Sequence, residues 1–210
     1  SFDDGWVSHY TTVMPMLNAA GLKGSFGIIT SYMLNTVPAN PIANFSLETT
    51  GTASTPQDWF KGGWGTNDAV LTWPVAGFSG AKGAQLSITT YTSGDAKWYF
   101  KDVSVIDGQK FTFSDYYKST ATSTITARYF MGSSTYVYAQ LAVVPPSAVW
   151  ATQPVQFTVP ANVQSMTIFH ALSSVGTLTI DLANLDDGNP QPYVSSGQVL
   201  DRRVRAPASP

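Results

Sequence analysis

A mainly β fold, a jelly-roll β-sandwich, is the class this sequence predicts, and three observations carry the prediction. Apolar and polar residues alternate in short runs over most of the 210 residues, the period of a half-buried strand. Clusters of turn residues punctuate these runs, as in a sandwich. Charged residues make up only 11%, far below the roughly 25% of an average soluble domain, with Ser, Thr, Gly and aromatics in their place. The net charge of −2 gives no electrostatic reason to expect nucleic acid or an anionic membrane as partner. The chain has no cysteine, which excludes disulfides, thiolate metal sites and cysteine nucleophiles. No apolar run approaches the roughly 18 residues of a membrane span.

In chain order, Trp6, Tyr10, Val13, Met14 and Leu17 recur at three- and four-residue spacing, which predicts a helix over 6–20. Pro15 removes an interior hydrogen bond and should kink that helix or mark a second start; Gly21 is its stop. Ser25–Thr30 reads as a short buried strand. Residues 1–34 therefore form one strand–helix–strand unit, and 35–41, with two prolines, form a linker.

The sandwich occupies 42–185. Its predicted strands are Ala43–Glu48, Ala69–Trp73, Gln85–Tyr91, Lys97–Ile106, Lys110–Lys118, Ser123–Phe130, Thr135–Val143, Pro154–Val159, Gln164–Ala171 and Thr177–Leu182. Asp107-Gly108 and Ser93-Gly94-Asp95 are read as hairpin turns. Residues 186–210 are a linker, a possible short helix over 193–201 with Ser195 or Ser196 as cap, and a basic disordered tail.

Alternation also marks a face that can meet a ligand. Phe111 and Phe113 point one way and Thr112, Ser114 and Tyr116 the other; Ile125 and Ala127 oppose Thr126 and Arg128; Val137, Ala139 and Leu141 oppose Tyr136, Tyr138 and Gln140. If these strands are neighbours, Tyr116, Arg128 and Tyr138 share one face among hydroxyls. Aromatic planes beside guanidinium donors suit sugars, which have apolar C–H faces and polar rims. Outward tyrosines and threonines are equally ordinary β-formers on a solvated sheet. Trp59, Trp64 and Trp98 read as core or loop anchors before ligand platforms, and of the three Trp64, between Gly63 and Gly65, is the one expected exposed in a loop. Of the two histidines, His170 reads as a satisfied structural residue and His9 as a helix-surface one.

Two resemblances add to this. Ser1-Phe2-Asp3-Asp4-Gly5, followed by Trp6, Pro15, Leu17 and Gly21-Leu22-Lys23-Gly24-Ser25-Phe26, resembles the opening of the polysaccharide deacetylases. The resemblance implies a fragment of an α/β deacetylase barrel, with Asp3 as base and Asp4 as ligand to a divalent metal such as zinc. That family completes its metal site with a His-x-x-x-His motif, which this sequence lacks, so the chain alone is expected to be inactive. The motif begins at Ser1, so the chain is read as a fragment. The sandwich is then expected to be an insertion in a catalytic sequence that resumes near Tyr193.

Residues 42–185 resemble the jelly-roll carbohydrate-binding modules found beside polysaccharide-degrading enzymes, through Asn44-Phe45-Ser46-Leu47-Glu48, Trp59, Gly77-Phe78-Ser79-Gly80-Ala81-Lys82 and Thr177-Leu178-Thr179-Ile180-Asp181. This resemblance implies a structural calcium ion held by Glu48 and Asp181, hard oxygen ligands of the kind calcium takes. It also implies a secreted or cell-surface protein of bacterial type. The function expected first is binding of a polysaccharide or cell-wall glycan through Trp64, Tyr116, Arg128 and Tyr138. The alternatives are a metal-dependent deacetylase completed by residues outside this chain, and a structural or surface-adhesion sandwich. Residues 1–34, with apolar faces to cover, are expected to dock on the rest of a deacetylase domain or to self-associate.

Overall fold

The computed structural model describes residues 12–22 and 40–186. Residues Asn40–Gly188 form one compact unit, and the short helix α1 (Met14–Ala19) belongs to another. Pro15 falls in the first turn of α1, directly behind a π-helical turn at Thr12 and Val13. Gly21 ends it in the left-handed conformation (φ 66°), with Leu22 N–H donating to Leu17 O (2.9 Å) and Gly21 N–H to Asn18 O (3.1 Å), a Schellman closure. The rest of the expected helix, the strand after it, the helix over 193–201 and the basic tail lie outside the described residues, as do Asp3 and Asp4.

The sandwich consists of two antiparallel sheets, with strands numbered in chain order. One runs β10 (Tyr136–Val144), β9 (Ser123–Phe130), β13 (Ser165–Leu172), β6 (Asp95–Phe100), β3 (Trp59–Trp64), with the short β7 (Val103–Ser104) added to β13. The second runs β11 (Ser147–Thr152), β8 (Lys110–Ser119), β14 (Gly176–Asp186), β5 (Gly83–Tyr91), β4 (Asn67–Val75), with β12 (Val155–Thr158) beside β8. A separate hairpin joins β1 (Thr50–Thr52) and β2 (Thr55–Pro56).

Alternation places the core. On β8, Phe111, Phe113, Asp115, Tyr117 and Ser119 point inward, and on β9, Ser123, Ile125, Ala127 and Tyr129 do so. Trp98, Phe100, Met166, Ile168, Leu86 and Leu172 fill the space between the sheets. Each such side chain is stabilised by about 1.5–3 kcal/mol through burial. Trp59 and Trp98 are buried, and their indole N–H groups donate to Asn44 O (3.1 Å) and Gln85 O (2.9 Å).

Three expectations need correction. Ala43–Glu48 is a turn, not a strand: the Asn44 side chain donates to Thr49 O and Gln57 O and accepts from Thr49 N–H, while Asn44 and Leu47 take positive φ. The turns at Ser93-Gly94-Asp95 and Asp107-Gly108 are not hairpins, because the strands on either side of each belong to different sheets. Strands β3 and β11 escape the sequence reading because both are sheet edges with little burial, so neither needs apolar–polar alternation.

Asn40, assigned by sequence to the linker, already belongs to the sandwich. Its side chain donates to Ala183 O (2.7 Å) and accepts from Leu185 N–H (3.2 Å). The first strand-side residues of the compact unit thus lie against the end of its last strand.

Candidate binding groove

The outer face of the first sheet is a groove of about 590 Å³. Edge strand β3 and edge strand β10 form its banks, and β13 runs along its floor. Trp64 stands on β3 with 66% of its surface exposed, and Tyr138 on β10 with 59% exposed. Trp64 is at the end of a strand, not in a loop, and its indole N–H donates to Asp95 Oδ2 across the ladder (3.1 Å). Tyr138 pairs directly with Arg128 of β9, so these two expected site residues are cross-strand neighbours.

Arg128 is a rigid element of the groove. Its guanidinium carbon lies 4.9 Å from the centre of the Tyr99 ring and 5.0 Å from that of Tyr136. Its Nη2 donates to Asp102 Oδ1 at 2.7 Å. Burial works to lower its pKa, but the hydrogen bond and charge of Asp102, with Tyr99 and Tyr138 nearby, raise it above the ordinary arginine value. The Nε–H is buried and has no acceptor among the described residues.

The floor is Phe169, 3% exposed yet outside the core between the sheets. Lys97 Nζ lies 4.7 Å over its ring and also pairs with Asp95. Phe169 aligns in register with Tyr99 on one side and Thr126 on the other. With Arg128 paired to Asp102 and Lys97 to Asp95, the groove presents balanced charge, aromatic surface and hydroxyls.

Sequence reasoning brings Trp64, Arg128 and Tyr138 to this site but not Tyr99, Lys97, Asp95 or Phe169. The signal was present: Lys97 and Tyr99 alternate with Trp98 and Phe100, and Phe169 opposes Ile168 and His170 on β13. Tyr116 is not in the groove. Strand β8 belongs to the second sheet, so Tyr116 faces the opposite side of the sandwich, where its ring is stacked by Phe78.

Glu48 and Asp181 meet the same loop. Glu48 Oε1 accepts from the N–H groups of Ala81 and Lys82 (both 2.8 Å). Asp181 Oδ2 accepts from those of Phe78 (2.8 Å) and Ser79 (3.0 Å), and its Oδ1 from Leu182 N–H (2.7 Å). Glycine at 77 and 80 permits this approach, because a Cβ at either would press into Asp181 Oδ2 or Glu48 Oε1. Burial, opposed by these backbone donors and helped by the charge of Glu48, raises Asp181 above the usual carboxylate range. The donor chemistry is compatible with a hard cation: two carboxylates near one loop, with Glu48 Oε2 outside these backbone bonds. Among the described residues no group of three or more His, Cys, Asp or Glu converges as a metal site.

His170 is committed elsewhere. It lies between the sheets, with Nε2 2.7 Å from Ser123 Oγ and Nδ1 3.0 Å from Asp115 Oδ2. The order Ser–His–Asp resembles a hydrolase triad, but all three residues are 1% exposed, so no substrate carbonyl reaches Ser123. Among the described residues, no helix is long and apolar enough to cross a membrane.

No protein-family model and no curated protein matches this chain, so the resemblance of residues 1–33 to the deacetylases gains no support. Solved structures do match. The enzymatically active domain of bacteriophage CBA120 tailspike protein 4 is similar over 76% of this chain and 24% of its own, at 19% identity and TM-score 0.55. A xylan-binding domain of carbohydrate-binding module family 22 is similar over 75% of this chain and 99% of its own (16% identity, TM-score 0.51). The family 22 and catalytic modules of endo-1,4-β-D-xylanase 10B from Clostridium thermocellum, solved with xylohexaose, are similar over 71% of this chain and 28% of theirs (15% identity, TM-score 0.52). The chain thus spans about a quarter of the tailspike domain and of the xylanase. These likenesses establish the carbohydrate-binding-module type of β-sandwich fold.

Proposed function

We propose that the sandwich binds a polysaccharide in the groove between Trp64 and Tyr138. The observation that carries this reading is the groove itself: exposed Trp64 and Tyr138 on its two banks, and an arginine held between two tyrosine rings beside them. Such surfaces take the C–H faces of sugar rings and hydrogen-bond their hydroxyls. Balanced ion pairs favour a neutral glycan. The xylan-binding and xylohexaose-bound neighbours support the same ligand class.

Calcium at Glu48 and Asp181 is part of this proposal, with the role of tying the loop over 77–82 to the last strand. Secretion follows from the ligand class. Asp3 and Asp4 contribute no step to it.

Affinity electrophoresis of the chain through gels containing soluble xylan, β-glucan, mannan or chitosan, with and without calcium, tests the proposal. Retardation by one glycan class, weakened by Tyr138→Ala, is expected. Equal mobility in every gel would leave a structural sandwich.

A further inference from the structure

The second sheet carries an aromatic corner on the face opposite the groove. Phe78 stacks flat on Tyr116, with ring centres 3.9 Å apart and planes 9° apart. Trp150 on β11 stands at 67° to Phe78, centre to centre 5.8 Å. Phe78 nevertheless remains 43% exposed. Lys118, two residues along β8 from Tyr116 and so on the same face, holds its ammonium 4.8 Å over the Trp150 ring. From Lys118 the surface continues into a hollow of about 470 Å³ that includes Thr120, Ser147, Thr177 and Thr179.

An exposed ring held flat by a stack loses little freedom when a ligand covers it, and a second ring at an angle bounds the contact on one side. A cation and a bank of hydroxyls lie next to it. That combination matches one or two sugar units, with an apolar face for Phe78 and a hydroxyl rim for Lys118 and the threonines. A folded protein partner needs about 800 Å² of surface per side, far more than one exposed phenyl ring and its edge offer.

We propose that Phe78, Trp150 and Lys118 form a second glycan contact, independent of the groove and directed away from it. A module with contacts on opposite sheets can hold two chains of a polymer at once. It should then be retained on an insoluble polysaccharide more strongly than either face alone would allow.

The test is NMR titration of the full chain with xylohexaose, cellohexaose, laminarihexaose and chitohexaose. The Trp64 indole N–H reports the groove and that of Trp150 the corner. The expected result is a saturable shift of the Trp150 signal that persists in the Trp64→Ala/Tyr138→Ala variant. Phe78→Ala should weaken it about tenfold, leaving the Trp64 signal of the otherwise unchanged chain unaffected. Lys118→Ala, which removes no ring, should weaken it as well. A Trp150 signal unmoved by all four oligosaccharides, or titrating in the Phe78→Ala and Lys118→Ala variants with the same affinity as in the unchanged chain, overturns the second contact whatever the groove does. A Trp64 signal that alone stays still overturns the groove instead.

Discussion

Two polar assemblies in this sandwich use similar groups to opposite ends. Between the sheets, Ser123, His170 and Asp115 form a closed array that reaches from β9 and β13 in one sheet to β8 in the other. In the groove, Arg128 with Asp102 and Lys97 with Asp95 are just as tightly bonded, yet they sit among half-exposed aromatic rings. The difference is solvent. In the dry interior every hydrogen-bonding position has to be filled by protein, so the array can only join the sheets. In the groove the ion pairs hold rings and donors in place and leave surface for a ligand.

The largest effect is expected at His170. His170→Leu leaves Asp115 buried without its partner, an error that costs about 3–5 kcal/mol. Thermal unfolding should show a large fall in Tm, with groove affinity unchanged in the molecules still folded. His170→Leu/Asp115→Leu should recover much of the loss. A fall no larger than that of a surface substitution would remove the array as the tie between sheets.

Calcium comes next. If it bridges Glu48 and Asp181, a concentration about 100 times its Kd adds about 2.7 kcal/mol to stability, and Glu48→Gln abolishes most of that gain. Asp181 gives the pH dependence its sign. Its raised pKa means that, without metal, its contribution is most favourable below the ordinary carboxylate pKa and declines as pH rises through the folded value. Calcium, by favouring the ionised form, should reverse that decline. Melting curves in EDTA and in calcium across the acidic range would show it, and coincident curves at every pH would retire the calcium.

Smaller effects belong to the groove. Trp64→Ala and Tyr138→Ala should each weaken glycan binding by about 1–2 kcal/mol, on the order of tenfold, while Tm barely moves. Calorimetric titration with the glycan found by electrophoresis measures this; substitutions that lower Tm and spare affinity would make the rings structural. Arg128→Lys should also weaken binding, since an ammonium cannot lie as a plate between Tyr99 and Tyr136. The smallest effect expected is that of salt. With paired charges and a neutral ligand, raising ionic strength should leave Kd nearly constant, and a steep loss would identify an acidic glycan instead.

Much of the fold was legible because inner strands bury one face. The runs at 110–118 and 123–130 declare their faces residue by residue, and the structure keeps both within a residue of the expected bounds. Edge strands β3 and β11, under no such demand, left no pattern. Part of the groove was legible for the same reason: outward Arg128 and Tyr138 on adjacent strands do meet.

Local alternation says which way a side chain points relative to its own strand. It does not say which sheet that strand joins. Tyr116 was therefore read correctly as outward and assigned to the wrong face, and Phe169, outward on a central strand, was missed as the floor.

The β class, the inward and outward sets of most strands and a low-charge, aromatic-rich surface follow directly from the period of the strand and the chemistry of each residue. Packing of the whole chain puts β3 at one edge of the sheet and β10 at the other, so that Trp64 and Tyr138 lie on opposite sides of Phe169. Only it enclosed His170 with Asp115 and turned Tyr116 to the far side. Strand order rests on pairings between segments distant along the chain, and the energies that select it come from how whole faces pack rather than from any one segment.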